Sequence, residues 1–201
     1  MAESTDDRVD ARVERTRRAL QQAALDLARE GRFDDATVAE LTDAAGVNRS
    51  SFYHHYDDRE TLLADAIEAA EIEAVAGLDT PTDIPSQLPT SMIAFLRHFD
   101  ADADLYRRLL GERGSPIVVA RIRARFHAQA RMGVVSSGTT AFEGLPIDIV
   151  AAGIAGSCMA VVQAWLELEP RPSVEIAAEW VWRVLVGPGV PLSSERRDPQ
   201  P

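Results

Sequence analysis

The sequence predicts an all-α fold, and three observations lead to that prediction. Apolar residues recur every three or four positions through most of the 201-residue chain, which is the spacing of one helix face. Serine, threonine or asparagine precedes several of these segments, and glycine or proline follows them, as helix caps and stops do. No segment alternates apolar and polar residues in the manner of a strand. Apolar residues make up 46% of the chain and charged residues 26%, which is typical of a globular protein.

Four helices are predicted in the first third of the chain. The first covers residues 12–29, and Gly31 ends it. A capping box of Thr37 and Glu40 begins the second helix, which stops before Gly46. Asn48 caps the third helix, which runs to residue 55, and a longer fourth helix opens at residues 57–60.

The rest of the chain is predicted to be helical after a loop. Four glycine and proline residues mark that loop at residues 77–89. Helices are then expected over residues 89–99, 103–110, 116–135, 146–169 and 173–186. The predicted domains are a disordered tail at 1–10, a helix-turn-helix domain at 11–58, a larger helical domain at 59–190 and a second disordered tail at 191–201.

One predicted helix contains an unusually apolar segment. The 18 residues from Ile149 to Leu166 carry no charge, which reaches the lower limit for crossing a membrane. The same segment contains two glycines, a serine and a glutamine. We interpret it as a buried helix of a bundle, and we expect a cytoplasmic protein with no membrane partner.

Residues 37–55 form a helix-turn-helix candidate. Two short helices are joined at Gly46, which adopts backbone angles that other residues resist. Leu41 and Ala44 would supply the apolar surface between the helices, and Val47 would fill the corner. The second helix would then present side chains that form hydrogen bonds with phosphates and base edges: Arg49, Ser50, Ser51, Tyr53, His54 and His55.

Residues 37–63, TVAELTDAAGVNRSSFYHHYDDRETLL, resemble the DNA-binding signature of TetR-type transcriptional regulators. The shared pattern has a threonine before the motif, an alanine-glycine-valine turn and an aromatic residue followed by tyrosine. The chain departs from it at Arg59, where the family commonly has lysine, and at Tyr56, where it usually has phenylalanine. The resemblance implies an N-terminal three-helix DNA-binding domain and a C-terminal helical domain for ligand binding and dimerisation.

The resemblance also implies roles for single residues. Base contacts are expected from Arg49, Ser50 and His54, phosphate contacts from Tyr53 and His55, and either kind from Ser51.

Two further phosphate contacts are expected outside that helix. Thr37 lies at a helix N-terminus, where it would cap the helix and could also hold a phosphate. Arg59 would contact the DNA backbone, or else would be a solvated arginine paired with Asp57 or Glu60.

The last two predicted helices are expected to form a homodimer. A two-fold interface would match the symmetry of a palindromic operator in double-stranded DNA. Small residues that allow close helix approach, together with two larger apolar residues, are expected at this interface: Gly153, Gly156, Ala160, Ala164, Trp180 and Val184.

A pocket for a small-molecule effector is expected in the larger domain. Its walls would be apolar with a few polar groups, which suits a hydrophobic ligand. The candidate lining residues are Met92, Phe95, His98, Phe99, Tyr106, Phe126, His127, Met159, Gln163 and Trp165. Each of them could instead belong to the core.

The charge balance limits how DNA would be held. Acidic residues outnumber basic ones by 32 to 21, all of the basic residues are arginine, and the net charge is −11. Such a charge opposes phosphate binding in general. Residues 8–18 are an exception, because they hold five arginines against Asp10 and Glu14. We therefore expect few phosphate contacts and a weak salt dependence.

No catalytic site, metal site or cofactor is predicted. The absence of lysine excludes a lysine Schiff base. Cys158 is the one cysteine, so no internal disulfide forms, and its apolar neighbours should raise the pKa of its thiol. Adjacent histidines, such as His54 and His55, point about 100° apart on a helix and cannot readily share one ion. The sequence favours a repressor released by a ligand, and the alternative is a helical regulator controlled by a protein partner.

Overall fold

The structure is a computed structural model that describes residues 5–74, 76, 88–112, 114–140 and 142–186, without the side chains of residues 5–10 and 186. The described residues form α-helices and no strand, so the predicted all-α class is confirmed. The helices are α1 (Thr5–Arg29), α2 (Val38–Ala44), α3 (Arg49–His55), α4 (Arg59–Ala74), α5 (Thr90–Ala101), α6 (Ala103–Leu110), α7 (Pro116–Ser137), α8 (Ile147–Leu166) and α9 (Val174–Val186).

Most helix boundaries lie within a few residues of those predicted, because caps and stops are local signals. The N-terminus is the exception. Helix α1 begins at Thr5, where the sequence indicated a disordered tail up to residue 10. The predicted tail at 191–201 and most of the predicted loop at 77–89 lie outside the described residues.

The chain divides into two compact units whose limits differ from the predicted domains. The first unit comprises residues 1–76 and 101–122, and the second comprises residues 77–100 and 123–201. The sequence placed a boundary at residue 58, whereas α4 and α6 belong with the helix-turn-helix segment. Contacts distant in sequence decide this division, and no local pattern reports them.

The first unit is built on the packing of α1 against α4. Leu20, Ala24 and Leu27 lie on one face of α1 and are buried. Leu62, together with Ile67, supplies the matching face of α4, and both are at most 1% exposed. Helix α1 of this pair also packs against α2 and α3.

The second unit is built on the packing of α8 against α9. Trp165 of α8 is 1% exposed, and its indole N–H donates to the carbonyl of Pro172 at 2.9 Å. By length and composition alone α8 could cross a membrane, although 39% of its most apolar window is buried in this fold. Its packing on α9 accounts for the buried part of this uncharged segment.

Candidate nucleic-acid interface

Helices α2 and α3 begin at the caps that the sequence predicts. The Thr37 N–H donates to Glu40 Oε2 at 2.7 Å, and the Glu40 N–H donates to Thr37 Oγ1 at 3.2 Å. The Thr37 hydroxyl also donates to the same Glu40 oxygen at 2.9 Å. The backbone N–H of Thr37 and then its hydroxyl lower the pKa of Glu40. The Glu40 carboxylate therefore occupies the N-terminus at which a phosphate was predicted.

The turn between the two helices depends on Gly46, which has a φ of 66°. The following Val47 N–H donates to the carbonyl of Thr42 at 2.9 Å and closes the turn. Leu41 is fully buried beneath it, as predicted, but Ala44 is exposed. Thr42 takes the predicted inner position instead, because its hydroxyl bonds to the carbonyl of Val38 at 2.9 Å and can be buried.

Helix α3 has one buried and one exposed face. Phe52 is fully buried, and Tyr56 follows the helix and is 6% exposed. Tyr53 lies on the exposed face, where it is 51% exposed. The other exposed side chains on this face are Arg49, Ser50 and His54. The structure thus brings together the residues predicted for base contacts, on the surface that a DNA groove would meet.

Arg49 and Tyr53 form a pair on the exposed face. The Arg49 guanidinium lies over the Tyr53 ring at 5.6 Å from its centroid, and Nη2 is 3.4 Å from the tyrosine hydroxyl. The Arg49 guanidinium has no carboxylate within 4.0 Å among the described residues. A cation held in place by its aromatic neighbour, with no competing anion, is suited to a guanine edge or a phosphate.

The two serines of α3 are tied to the helix cap. Asn48 Oδ1 accepts hydrogen bonds from the Ser51 N–H at 2.8 Å, the Ser51 hydroxyl at 2.9 Å and the Ser50 hydroxyl at 2.6 Å. Both serine protons are therefore engaged in the free protein. A serine contact to a phosphate requires the hydroxyl to turn away from Asn48.

His55 lies at the edge of the exposed face and is half-buried. Burial lowers the pKa of its imidazole, and the nearby His54 and Arg17 lower it further. The ring is therefore neutral at pH 7 and can give a phosphate one N–H but no full positive charge.

A partly buried polar cluster, which was not predicted from the sequence, joins α1 and α4 to Tyr56, the residue that follows α3. Asp65 of α4 accepts from Arg17 Nη2 at 2.7 Å, from Gln21 Nε2 at 3.0 Å and from the Tyr56 hydroxyl at 2.5 Å. Burial opposes ionisation of Asp65, but these hydrogen bonds outweigh it and lower the pKa of the carboxyl. We call this group the Asp65 cluster. It fixes Tyr56, the residue that follows α3, to both α1 and α4.

One feature of the sequence is consistent with this cluster. Tyr56 stands where related motifs usually have phenylalanine, so its hydroxyl had to find a partner when buried. Arg17 belongs to the basic segment at residues 8–18. In the structure it forms an ion pair with Asp65.

Arg59 has a role within the chain that differs from the predicted phosphate contact. Its Nη1 donates to the carbonyls of Phe33 at 3.2 Å and of Ala36, and its guanidinium lies 5.8 Å from the centroid of the Phe33 ring. Neither predicted ion pair, with Asp57 or Glu60, is present. Arg59 therefore fastens the loop before α2 to the start of α4.

The residues predicted for ligand binding are divided between the two units. Phe95, Phe99 and Phe126 pack together in the second unit, with ring centroids 4.9 to 6.2 Å apart. Tyr106 belongs to the first unit and is 1% exposed in its core. Gln163 is exposed on α8.

The remaining predicted ligand residues have varied surroundings. Trp165 is held by Pro172, as described above, and His127 Nε2 lies 3.2 Å from the carbonyl oxygen of Asp148. Met92, His98 and Met159 are half-buried in the second unit. The structure describes cavities of about 230 and 800 Å³ in the first unit, and none of the ten predicted ligand residues lines either one.

Most of the predicted dimer residues are exposed on the second unit. Gly153, Gly156, Ala160 and Ala164 are exposed at helical spacing along α8. On α9, Trp180 is half-buried and Val184 is 53% exposed. Ile149 extends this apolar face and is 65% exposed.

No group of three or more histidine, cysteine, aspartate or glutamate side chains that could hold a metal occurs in the described part of the chain. Burial raises the pKa of the Cys158 thiol to about 12, so it is protonated and unreactive at neutral pH.

Two short helices at a glycine turn, with a polar face on the second helix, define a helix-turn-helix protein. Residues 20–66 match the family model of bacterial regulatory proteins, tetR family. Residues 20–66 are therefore similar to the segment that this family model describes.

Known relatives extend the comparison. The uncharacterized HTH-type transcriptional regulator YxbF of Bacillus subtilis is 30% identical over 115 residues, which are 55% of this chain and 30% of that protein. The match thus spans about a third of that relative's length.

Solved structures show a similar fold over most of the chain. A TetR transcriptional regulator from Streptococcus agalactiae is 21% identical, with a TM-score of 0.63 over 90% of this chain and 99% of its own. Thermus thermophilus FadR, a TetR family repressor in complex with lauroyl-CoA, is 18% identical, with a TM-score of 0.55 over 92% of this chain and 100% of its own.

Proposed function

We propose that the chain is a homodimeric, cytoplasmic transcriptional repressor that binds a palindromic operator and is released by a small hydrophobic ligand. The observation that carries the proposal is the exposed face of α3, on which Arg49, Ser50, Tyr53 and His54 are presented together. Phe52 and the Asp65 cluster hold the opposite side of the helix. A rigidly supported helix with a polar outer face is suited to the major groove.

The exposed surface of α8 supports the proposed dimer. A Cβ atom added at Gly153 or Gly156 would meet nothing within 4 Å. Packing within the chain therefore does not require glycine there, although glycine destabilises a helix by about 1 kcal/mol relative to alanine. Close approach of a second copy of α8 would account for both glycines. Two α3 helices in such a dimer would lie about 34–36 Å apart, in successive major grooves.

A cluster of aromatic rings in the second unit supports the proposed hydrophobic ligand. The apolar rings of Phe95, Phe99 and Phe126 would favour a hydrophobic molecule, and the related FadR is a repressor in complex with lauroyl-CoA. Because the predicted residues do not line a described cavity, control by a protein partner is the second candidate. A thermal-shift screen of lipophilic compounds separates the two, since a regulator with only a protein partner gives no saturable shift.

The operator-binding test uses variants of the exposed face. DNA fragments retained by the purified protein from a genomic library are sequenced, and the best fragment is titrated in a gel-shift assay. We expect Arg49→Ala and Tyr53→Ala to abolish specific binding while the dimer stays folded. The matched control is Arg123→Ala, an exposed arginine of the second unit. Unchanged affinity in both α3 variants would contradict the assignment.

A further inference from the structure

We propose that the first unit contains a binding site for a small apolar carboxylate, in the cavity between Arg59 and Arg108. The cavity has a volume of about 230 Å³ and lies among the end of α1, the loop before α2, the start of α4 and α6. This site is separate from the hydrophobic-ligand pocket proposed above, whose candidate residues do not line the cavity.

Both guanidinium groups are held by backbone carbonyls. Arg108 Nη2 donates to the carbonyl of Ala28 at 2.7 Å and to that of Arg29 at 3.3 Å. Arg59 Nη1 donates to the carbonyls of the loop before α2, as described above. These bonds use one nitrogen of each guanidinium. The other N–H groups of Arg59 and Arg108 form no hydrogen bond with the described residues and can serve a ligand.

The two arginines also lack carboxylate partners. In the same unit, Arg17, Arg29 and Arg121 each form an ion pair with an acidic side chain. Neither Arg59 nor Arg108 has a carboxylate within 4.0 Å among the described residues. In a chain of net charge −11, two such cations at one cavity indicate a site for an external anion.

The acidic side chains at the cavity do not serve as the anion that Arg59 and Arg108 would bind. The carboxylate of Glu60 accepts a hydrogen bond from the Ser115 hydroxyl at 2.5 Å. Asp34 also lines the cavity and is exposed. Together they limit the negative charge that the cavity tolerates, which favours one carboxylate over a phosphate with two charges.

The floor of the cavity is apolar and rigid. Leu63, Leu105 and Leu109 line it and are between 2% and 8% exposed. On the far wall, a Cβ atom added at Gly114 would lie 1.8 Å from the carbonyl oxygen of Leu109, so only glycine allows this turn. The volume is below the range of about 300–1,000 Å³ for drug-sized ligands, so the occupant is a single ring or a short chain.

Titration of the ¹⁵N-labelled full chain with benzoate tests this proposal. We expect saturable shifts of the amide signals of Gly31 and Gly114, which line the cavity. Arg108→Gln should weaken binding at least tenfold, as expected for loss of a charge-assisted hydrogen bond. The matched control is Arg107→Gln, because the neighbouring Arg107 pairs with Asp104 and does not line the cavity. Benzamide, which has the same shape without the charge, should bind at least tenfold more weakly than benzoate.

Three results would overturn the proposal. They are the absence of saturable shifts, shifts confined to the second unit, and equal affinity of benzoate for Arg108→Gln and the unmodified chain. No DNA is present in the titration, so a failure of operator binding would leave its outcome unaffected.

Discussion

At the scale of single residues, Tyr56 shows how one atom changes the role of a position. A phenylalanine there would only fill the space next to Phe52. The hydroxyl of Tyr56 adds a hydrogen bond to a carboxylate that already binds Arg17 and Gln21. The end of α3 is therefore fixed by a charged group as well as by packing.

Tyr56→Phe tests the contribution of this hydroxyl. We expect the free energy of unfolding to fall by about 1.5–3 kcal/mol, the usual range for a hydrogen bond to a charged group. Urea denaturation measures the change. The control is Tyr53→Phe, whose exposed hydroxyl should contribute less than about 0.5 kcal/mol. Equal effects of the two substitutions would show that the Asp65 cluster does not stabilise the fold.

Substitutions at Arg59 and Arg49 should differ in their effects on stability and on DNA binding. Arg59 binds loop carbonyls, so Arg59→Gln should lower the free energy of unfolding by about 1–2 kcal/mol. The guanidinium of the exposed Arg49 is engaged with the Tyr53 side chain, so Arg49→Gln should leave stability within about 0.5 kcal/mol. Thermal denaturation of both variants checks this, and a gel shift should show the larger affinity loss for Arg49→Gln. A larger loss of DNA affinity in Arg59→Gln than in Arg49→Gln would support the predicted contact of Arg59 with DNA.

At the scale of elements, the turn at Gly46 is set by its backbone angle and not by crowding. Its φ is 66°, and an added Cβ would meet nothing within 4 Å. A side chain there is strained only by the left-handed conformation, which is unfavourable by about 1–2 kcal/mol.

Gly46→Ala should therefore lower the free energy of unfolding by about 1–2 kcal/mol. The matched control is Gly133→Ala in the exposed surface of α7, where an added Cβ also meets nothing within 4 Å. Because that glycine is helical, the same substitution should raise stability by up to about 1 kcal/mol. Chemical denaturation should show that the free energy of unfolding falls in Gly46→Ala and rises in Gly133→Ala. A change in the same direction in both variants would contradict the explanation from the backbone angle of Gly46.

The helices were predictable because their start and stop signals are local. Thr37 and Asn48 cap α2 and α3 in the structure as the sequence indicated. The candidate interface was predictable for the same reason, since exposure along α3 follows from the position of Phe52. Arg59 and Tyr106 were not predictable in this way, because their partners lie on distant segments.

At the scale of the whole molecule, the placement of charge limits how the proposed interface could hold DNA. Arg17 and Arg18 of the basic segment are ion-paired with Asp65 and Glu14. Among the described residues around the interface, Arg12, Arg15 and Arg49 remain without a carboxylate within 4.0 Å.

Three such arginines in each protomer give about six in a dimer. The logarithm of operator affinity should then fall with the logarithm of salt concentration with a slope of about −5 or shallower. Fluorescence anisotropy across a salt series measures it. A slope near −10 would show that many more phosphates are neutralised than the described arginines can reach.

The dimer prediction also belongs at this scale. Ala160→Arg places a long charged side chain in the proposed α8 interface and should convert the dimer to a monomer of 21.9 kDa. Sedimentation velocity at micromolar concentration measures the mass. Ala120→Arg, at an exposed site of α7, is the control and should stay dimeric. If Ala160→Arg also stays dimeric, another surface forms the dimer.

The sequence by itself determined the all-α class, the caps and turn of the helix-turn-helix, and the residues exposed on α3, because each depends on neighbours within a few positions. Only the tertiary structure decided that Arg17 and Tyr56 meet at Asp65, that Arg59 holds the loop before α2 and that Tyr106 belongs to the first unit. Those outcomes depend on which segments far apart in the chain pack together. Hydrogen bonds and ion pairs between such segments leave no periodic pattern along the sequence.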